Sequence, residues 1–281
     1  MSLISKLEFY KSYIPIIVIL AVSPFCTLIF NITEYELPEA VPFEDAGLGS
    51  ILNLVIFLSV TIIFGILLIY LIKKPTILKF FSITLLFYLT FTTNMFYIDA
   101  IICQLNINML YQLIIEVVIP IILSIILVLS IYKNYYYIYS TIILFVSAEV
   151  GVLLNMVIPL ITKILILIGY SIFDYYSVTR GFINKIFTAN PSTTFLDLFL
   201  IRFSKVGLGI GDLIFYSLLV SLSIDILSPN ILLGYLISSL SIIVGHAINL
   251  SLLLKRKLIP ALPIPIILCL TLIFIARSLI S

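Results

Sequence analysis

The chain has 281 residues and 31.7 kDa; 63% of its residues are hydrophobic, 10% are charged, the mean hydropathy is +1.31 and the formal net charge is +2. Soluble globular chains average about 45–50% apolar and about 25% charged residues, so this composition cannot wrap a polar surface around a compact core. It excludes a soluble enzyme, a secreted disulfide scaffold and a disordered tail, and so small a net charge gives no reason to expect nucleic acid as a partner.

A membrane helix needs about 20 apolar residues, and the chain supplies nine such segments, at 13–31, 47–72, 77–98, 111–132, 135–158, 160–179, 206–227, 231–254 and 258–280. No small-residue cleavage site follows the first, which reads as a retained helix. The loop after it, 32–46, carries Glu34, Glu36, Glu39, Glu44 and Asp45 without a basic residue. Pro159 alone separates the fifth and sixth segments; it disfavours helix at the residue before it and suits a tight reversal. The connection 180–205 is longer, and its part 194–203 (TFLDLFLIRF) is apolar enough to lie along the interface as an amphipathic helix or extended segment.

The fold class expected is an all-α polytopic membrane protein of about nine spans, in one membrane domain over 1–281: six helices to about 179, a cytosolic loop 180–205, and three helices over 206–281. With a cytosolic N-terminus, thirteen of the fifteen Lys and Arg residues fall inside, and only Lys163 and Arg277 outside. That asymmetry places the N-terminus in the cytosol and the C-terminus outside. Cys26, Cys103 and Cys269 have no metal-like spacing and read as small buried hydrophobes.

A charge at membrane depth costs about 2.5–3.5 kcal/mol on insertion scales, so acids within spans are functional candidates. Asp225 lies near the outer end of the seventh span and reads as a boundary residue; Glu116, about five residues from the outer end of the fourth, can snorkel; Glu149 is deeper and reads as a hydrogen bond to a neighbouring helix. Asp174 and Asp212 differ because their depths match. They stand about five residues before the inner end of the sixth span and about six past the inner start of the seventh, roughly 8–9 Å deep at 1.5 Å per residue.

Gly207, Gly209 and Gly211 precede Asp212 and weaken a helix there by about 1 kcal/mol each. They permit close backbone approach by a neighbour or an extended ligand, and local unwinding. No Lys-Ser/Thr follows, so this is not a phosphate loop. On the same side, Pro260-Ala261-Leu262 opens the ninth span, followed by Pro263 and Pro265. Backbone groups that proline frees at membrane depth must line a cavity or find a partner, and an extended peptide strand could supply one. His246 has no companion ligands for a metal and reads as a polar contact in the eighth span. Tyr216, one turn past Asp212, can bond near it or merely pack.

Asp174, Gly209-Ile210-Gly211-Asp212 and Pro260-Ala261-Leu262, in this order on nine spans, resemble the presenilin/signal peptide peptidase family of intramembrane aspartyl proteases. Gly207–Ser217 (GLGIGDLIFYS) and the orientation look like the presenilin branch, and the absence of large insertions looks like a compact prokaryotic or archaeal homologue. The family usually has tyrosine before its first aspartate, where this chain has Phe173. The resemblance implies an aspartic endopeptidase of the Gly-x-Gly-Asp type that cuts membrane-spanning peptides in the bilayer, without metal or cofactor. It implies Asp174 and Asp212 as catalytic residues, with Gly209, Gly211, Pro260, Ala261 and Leu262 on the substrate side. It leaves homo-oligomers or accessory subunits open. The alternatives are a proton- or cation-coupled transporter or channel using the same acids, a prepilin-peptidase-like enzyme, and an inert structural partner.

Overall fold

The computed structural model describes residues 10–33, 35, 37–105, 108–179, 196–203, 206–253 and 258–280. Glu34, Glu36, most of the connection 180–205 and the basic residues 255–257 lie outside the described residues. Nine long helices are described: α1 (Ile14–Thr33), α2 (Leu48–Ile72), α3 (Pro75–Ile102), α4 (Met109–Tyr132), α5 (Tyr136–Val157), α6 (Leu160–Thr179), α7 (Ile210–Ile226), α8 (Ile231–Leu253) and α9 (Pro263–Ile280). Between α6 and α7 come a 3-10 turn (Leu196–Phe199) and two short strands, β1 (Leu200–Ile201) and β2 (Leu208–Gly209). Eight of the nine helices are long and apolar enough to cross a membrane; the exception is α7, and the protein is an integral multi-pass membrane protein.

Helix α7 has 17 residues, about 25 Å at 1.5 Å per residue, and most of them are buried. It is the central helix, packed against α5, α8 and α1, whereas α2 exposes most of its length as an apolar outer face. Small residues set the closest approaches: Gly151 on α5 meets the α7 backbone, and Gly234 on α8 meets Ser223 of α7. Helix α6 leans mainly on α2 and α9, not on α7.

Two helix starts differ from the sequence reading, both at the end that holds the paired aspartates. The seventh helix begins at Ile210, not 206, because Leu208–Gly209 is extended and pairs antiparallel with Leu200–Ile201, with Leu200 opposite Gly209. The glycines resist helix, and the ladder gives their backbone another partner. The ninth helix begins at Pro263, not 258. Proline restricts the residue before it and needs no amide partner at a first helical position, so 258–262 stays irregular. The apolar stretch 194–203 was expected along the interface; its described part is the 3-10 turn and strand β1.

The opposite end is fastened by polar contacts. Asp45 accepts hydrogen bonds from the Ile161 amide (2.9 Å), the Thr162 amide (2.8 Å), Thr162 Oγ1 (2.7 Å) and Ser50 Oγ (2.9 Å). It caps α6 from a distant loop, where Pro159 has no side chain able to do so. Burial raises its carboxyl, but these hydrogen bonds outweigh that and hold it below the usual carboxylate range. We expect Asp45→Ala to cost about 1 kcal/mol of stability at neutral pH, within the 0.5–2 of other caps. Because the folded value is depressed, the wild-type advantage should be full above about pH 4 and shrink as pH falls through the lowered value. Thermal unfolding in detergent at several pH values measures this; a gap that does not change with pH would contradict it.

Nearby, buried Lys163 donates to the Asn155 carbonyl (2.6 Å) and Oδ1 (3.0 Å), while Asn155 Nδ2 donates to Ser221 Oγ (2.8 Å) and to Asp225. Asp225 is thus part of an interhelical cluster at this end. Glu116 lies near the Tyr35–Asp99–Cys103 group. Glu149 sits against Thr93 of α3, as a contact between helices, and its Oε2 has no partner among the described residues. Cys26 and Cys269 are buried as expected, but Cys103, just past the end of α3, is exposed.

Candidate active site

Asp174 stands on α6 five residues before Thr179, and Asp212 is the third residue of α7. Asp212 therefore belongs to the first helical turn, closer to the helix start than hydropathy suggested. Its Oδ2 accepts the Gly209 amide at 3.3 Å, which closes the helix start, and the N-terminal dipole favours a carboxylate there. Asp174 Oδ2 accepts the Leu262 amide at 3.1 Å, with the Ala261 amide beside it. The two carboxylates are held by different backbone segments yet lie close enough to feel each other's charge.

Both line one cavity of about 660 Å³, together with Leu200, Arg202, Leu208, Gly209, His246, Asn249 and Ala261. The structure thus brings Asp174, Asp212, Gly209 and Ala261 together from three distant stretches of sequence. Pro260 lines an adjoining apolar cavity of about 400 Å³ with Tyr175, Leu252, Pro263 and Ile264. Gly211 is exposed, and a Cβ there would meet nothing within 4 Å; at Gly209 a Cβ would come to 3.0 Å from Asp212 Oδ2. Gly209 is therefore the position where a side chain would crowd the carboxylate.

The irregular segment ahead of α9 is held by side chains. The Ala261 carbonyl accepts Tyr216 Oη at 3.1 Å and Asn249 Nδ2 at 2.9 Å. Tyr216 is fully buried, so its hydroxyl fastens this segment to the central helix. Tyr216→Phe leaves Ala261 with the Asn249 donor and should cost about 0.5–1.5 kcal/mol, measured by thermal unfolding in detergent; an unchanged midpoint would contradict it. The side chain of Leu262 is buried in the core, so Leu262 serves the site through its amide.

Phe173, the residue before Asp174, offers no hydroxyl. The tyrosine one turn earlier, Tyr170, bonds Thr61 and the Phe57 carbonyl of α2 instead of the aspartate. Asn249 escaped the sequence reading. Its signal was its spacing of three residues from His246, which puts two polar side chains on one face of an apolar helix. His246 is 3% exposed and stacks edge-on to Tyr13 at 5.0 Å. It is not the satisfied polar contact expected, since its Nε2 has no partner among the described residues.

No family model matches the chain, and no curated protein matches it. Two solved structures of a presenilin family intramembrane aspartate protease, in space groups P2 and C222, do resemble it in fold. The first superposes with a TM-score of 0.59 at 19% identity, covering 95% of this chain and 96% of the other. The second gives 0.63 at 16% identity, covering 96% and 99%. Over nearly its whole length, this chain has the fold of a presenilin family intramembrane aspartate protease.

Proposed function

We propose that the protein is an intramembrane aspartyl protease that hydrolyses peptide bonds within or near the spans of membrane proteins, with Asp174 and Asp212 as its catalytic pair. The observation that carries this reading is that both carboxylates, from separate helices, line one cavity beside the irregular segment 260–262. Two carboxylates brought together share a proton and titrate as a unit. The ionised one takes a proton from water as that water attacks the scissile carbonyl, and the other donates its proton to the carbonyl oxygen; the tetrahedral intermediate then collapses as the first returns its proton to the leaving nitrogen and the second takes one back from a hydroxyl, releasing amine and acid.

A helical peptide bond is shielded by its own hydrogen bonds, so the substrate must unwind locally to react. The β1–β2 pair beside Asp212 supports this step, because a strand edge can pair with an extended peptide. In this reading Gly209, Gly211, Pro260 and Ala261 flank the substrate, and Leu262 orients Asp174. The catalytic end faces the cytosol, with the N-terminus inside and the C-terminus outside, as the distribution of basic residues favours. The whole chain acts as a single membrane domain in the lipid bilayer.

The test is the purified protein in liposomes with a synthetic single-span peptide, read by mass spectrometry, with proton flux followed in the same vesicles. Peptide products without flux are expected. Proton-coupled flux without products would replace the protease by a transporter.

A further inference from the structure

The main-chain groups of Ala261 and Leu262 that face the site are already engaged. The Ala261 carbonyl has two acceptor positions, and Tyr216 and Asn249 occupy them. The Leu262 amide is given to Asp174, and the Leu262 carbonyl accepts the Ile266 amide at 3.1 Å. Proline has no amide hydrogen to offer at 260. A peptide entering the cavity therefore finds few open hydrogen-bonding positions on this segment.

Unpartnered positions exist on α8. Asn249 and His246 both line the cavity and are 7% and 3% exposed. Asn249 Oδ1 and His246 Nε2 are buried and have no hydrogen-bond partner among the described residues. Buried polar atoms without partners are rare and call for an explanation. The identity of the free Asn249 atom follows from chemistry. The Ala261 carbonyl can only accept, so the amide group of Asn249 must face it and the oxygen is left over. Whatever meets that oxygen must be a donor.

The two residues are three apart on one helical face, about 4.5 Å along the axis. An extended peptide presents the N–H and the C=O of the same residue on one edge, as paired strands do. We propose that α8 is a main-chain-binding wall of the cavity: Asn249 Oδ1 accepts the N–H, and His246 Nε2–H donates to the C=O, of one residue of an extended substrate peptide. The assignment rests on the protease reading for the identity of its ligand and adds two substrate-binding residues to it. It places them on the helix that carries neither aspartate.

Binding separates this proposal from catalysis. A fluorescent single-span peptide would be titrated against the full-length Asp212→Asn protein in nanodiscs, with peptide variants that each replace one backbone amide by an ester and so delete one N–H. One ester position should weaken binding about tenfold, and in the protein that also carries Asn249→Ala that ester should have no further effect. His246→Leu should weaken binding of the parent peptide several-fold, and His246→Gln, which keeps an N–H donor, should recover most of it. An ester profile unchanged by Asn249→Ala, or the absence of any sensitive position, would overturn the proposal. If Asn249→Ala does not fold, equal affinities of His246→Leu and His246→Gln would overturn it. Cleavage by the wild-type protein is measured alongside. The binding signature without cleavage keeps the α8 wall and removes the protease; cleavage without the signature does the reverse.

Discussion

Asp212→Asn and Asp174→Asn should each lower cleavage of a single-span peptide by about 10²–10⁴-fold, the range associated with a positioned proton-transfer group. Asparagine retains a side-chain oxygen that can accept the Gly209 or the Leu262 amide, so the helix start at 210 and the segment before α9 keep their fastenings. The loss is therefore chemical and should appear with little change in thermal midpoint. The two residues act as one unit, so the double variant should be no slower than either single variant beyond the residual rate. Steady-state cleavage of the four proteins in matched liposomes checks this. Effects that multiply in the double variant would mean two independent roles and no shared proton.

Gly151→Ala should destabilise the fold, although alanine is the better helix former by up to about 1 kcal/mol. The added Cβ would lie 2.4 Å from the Ile214 carbonyl oxygen, 2.5 Å from Ser217 Cβ and 2.8 Å from the Leu218 nitrogen. Two of these are backbone atoms of the central helix and cannot swing away. Overpacking of this kind costs about 1–3 kcal/mol. Separating α5 from α7 also stretches the bond from Ser217 Oγ to the Ala148 carbonyl (2.6 Å), and with it the Ser23–Ser217 contact (2.9 Å) to α1, for roughly 1 kcal/mol more. A net loss of about 2 kcal/mol is expected from these terms, read as a lowered unfolding midpoint in detergent. A raised midpoint would show that helix propensity outweighs packing here.

Hydropathy located the nine helices because long apolar runs are a property of the sequence itself. It misplaced the starts of α7 and α9, since Val206–Gly209 and Leu258–Leu262 are as apolar as the helices they precede. What distinguishes them is backbone chemistry. Gly207 and Gly209 lie ahead of α7 while Gly211 is already helical, and Pro260 stands in the irregular segment while Pro263 opens α9. The pairing of Leu200–Ile201 with Leu208–Gly209 depends on a partner strand from the preceding connection, which no local pattern announces.

Asp174 and Asp212 stood out because acids at membrane depth are costly wherever they occur. The supporting contacts were less visible. Tyr216 shows in the sequence only by its turn spacing from Asp212, and Asn249 hardly at all, because their shared target, the Ala261 carbonyl, belongs to a segment 45 residues from one and 12 from the other. Contacts among three helices follow from packing, and Gly151, Gly234 and Gly245, where helices approach most closely, determine that packing.

The most direct test of the central claim is cleavage in H₂¹⁸O of a single-span peptide by the wild-type protein and by Asp212→Asn prepared in parallel. A cut within or beside the apolar segment is expected, with one ¹⁸O atom in the new C-terminal carboxylate and almost no product from the variant. Equal product from both proteins, or a cut far from the apolar segment, would contradict it.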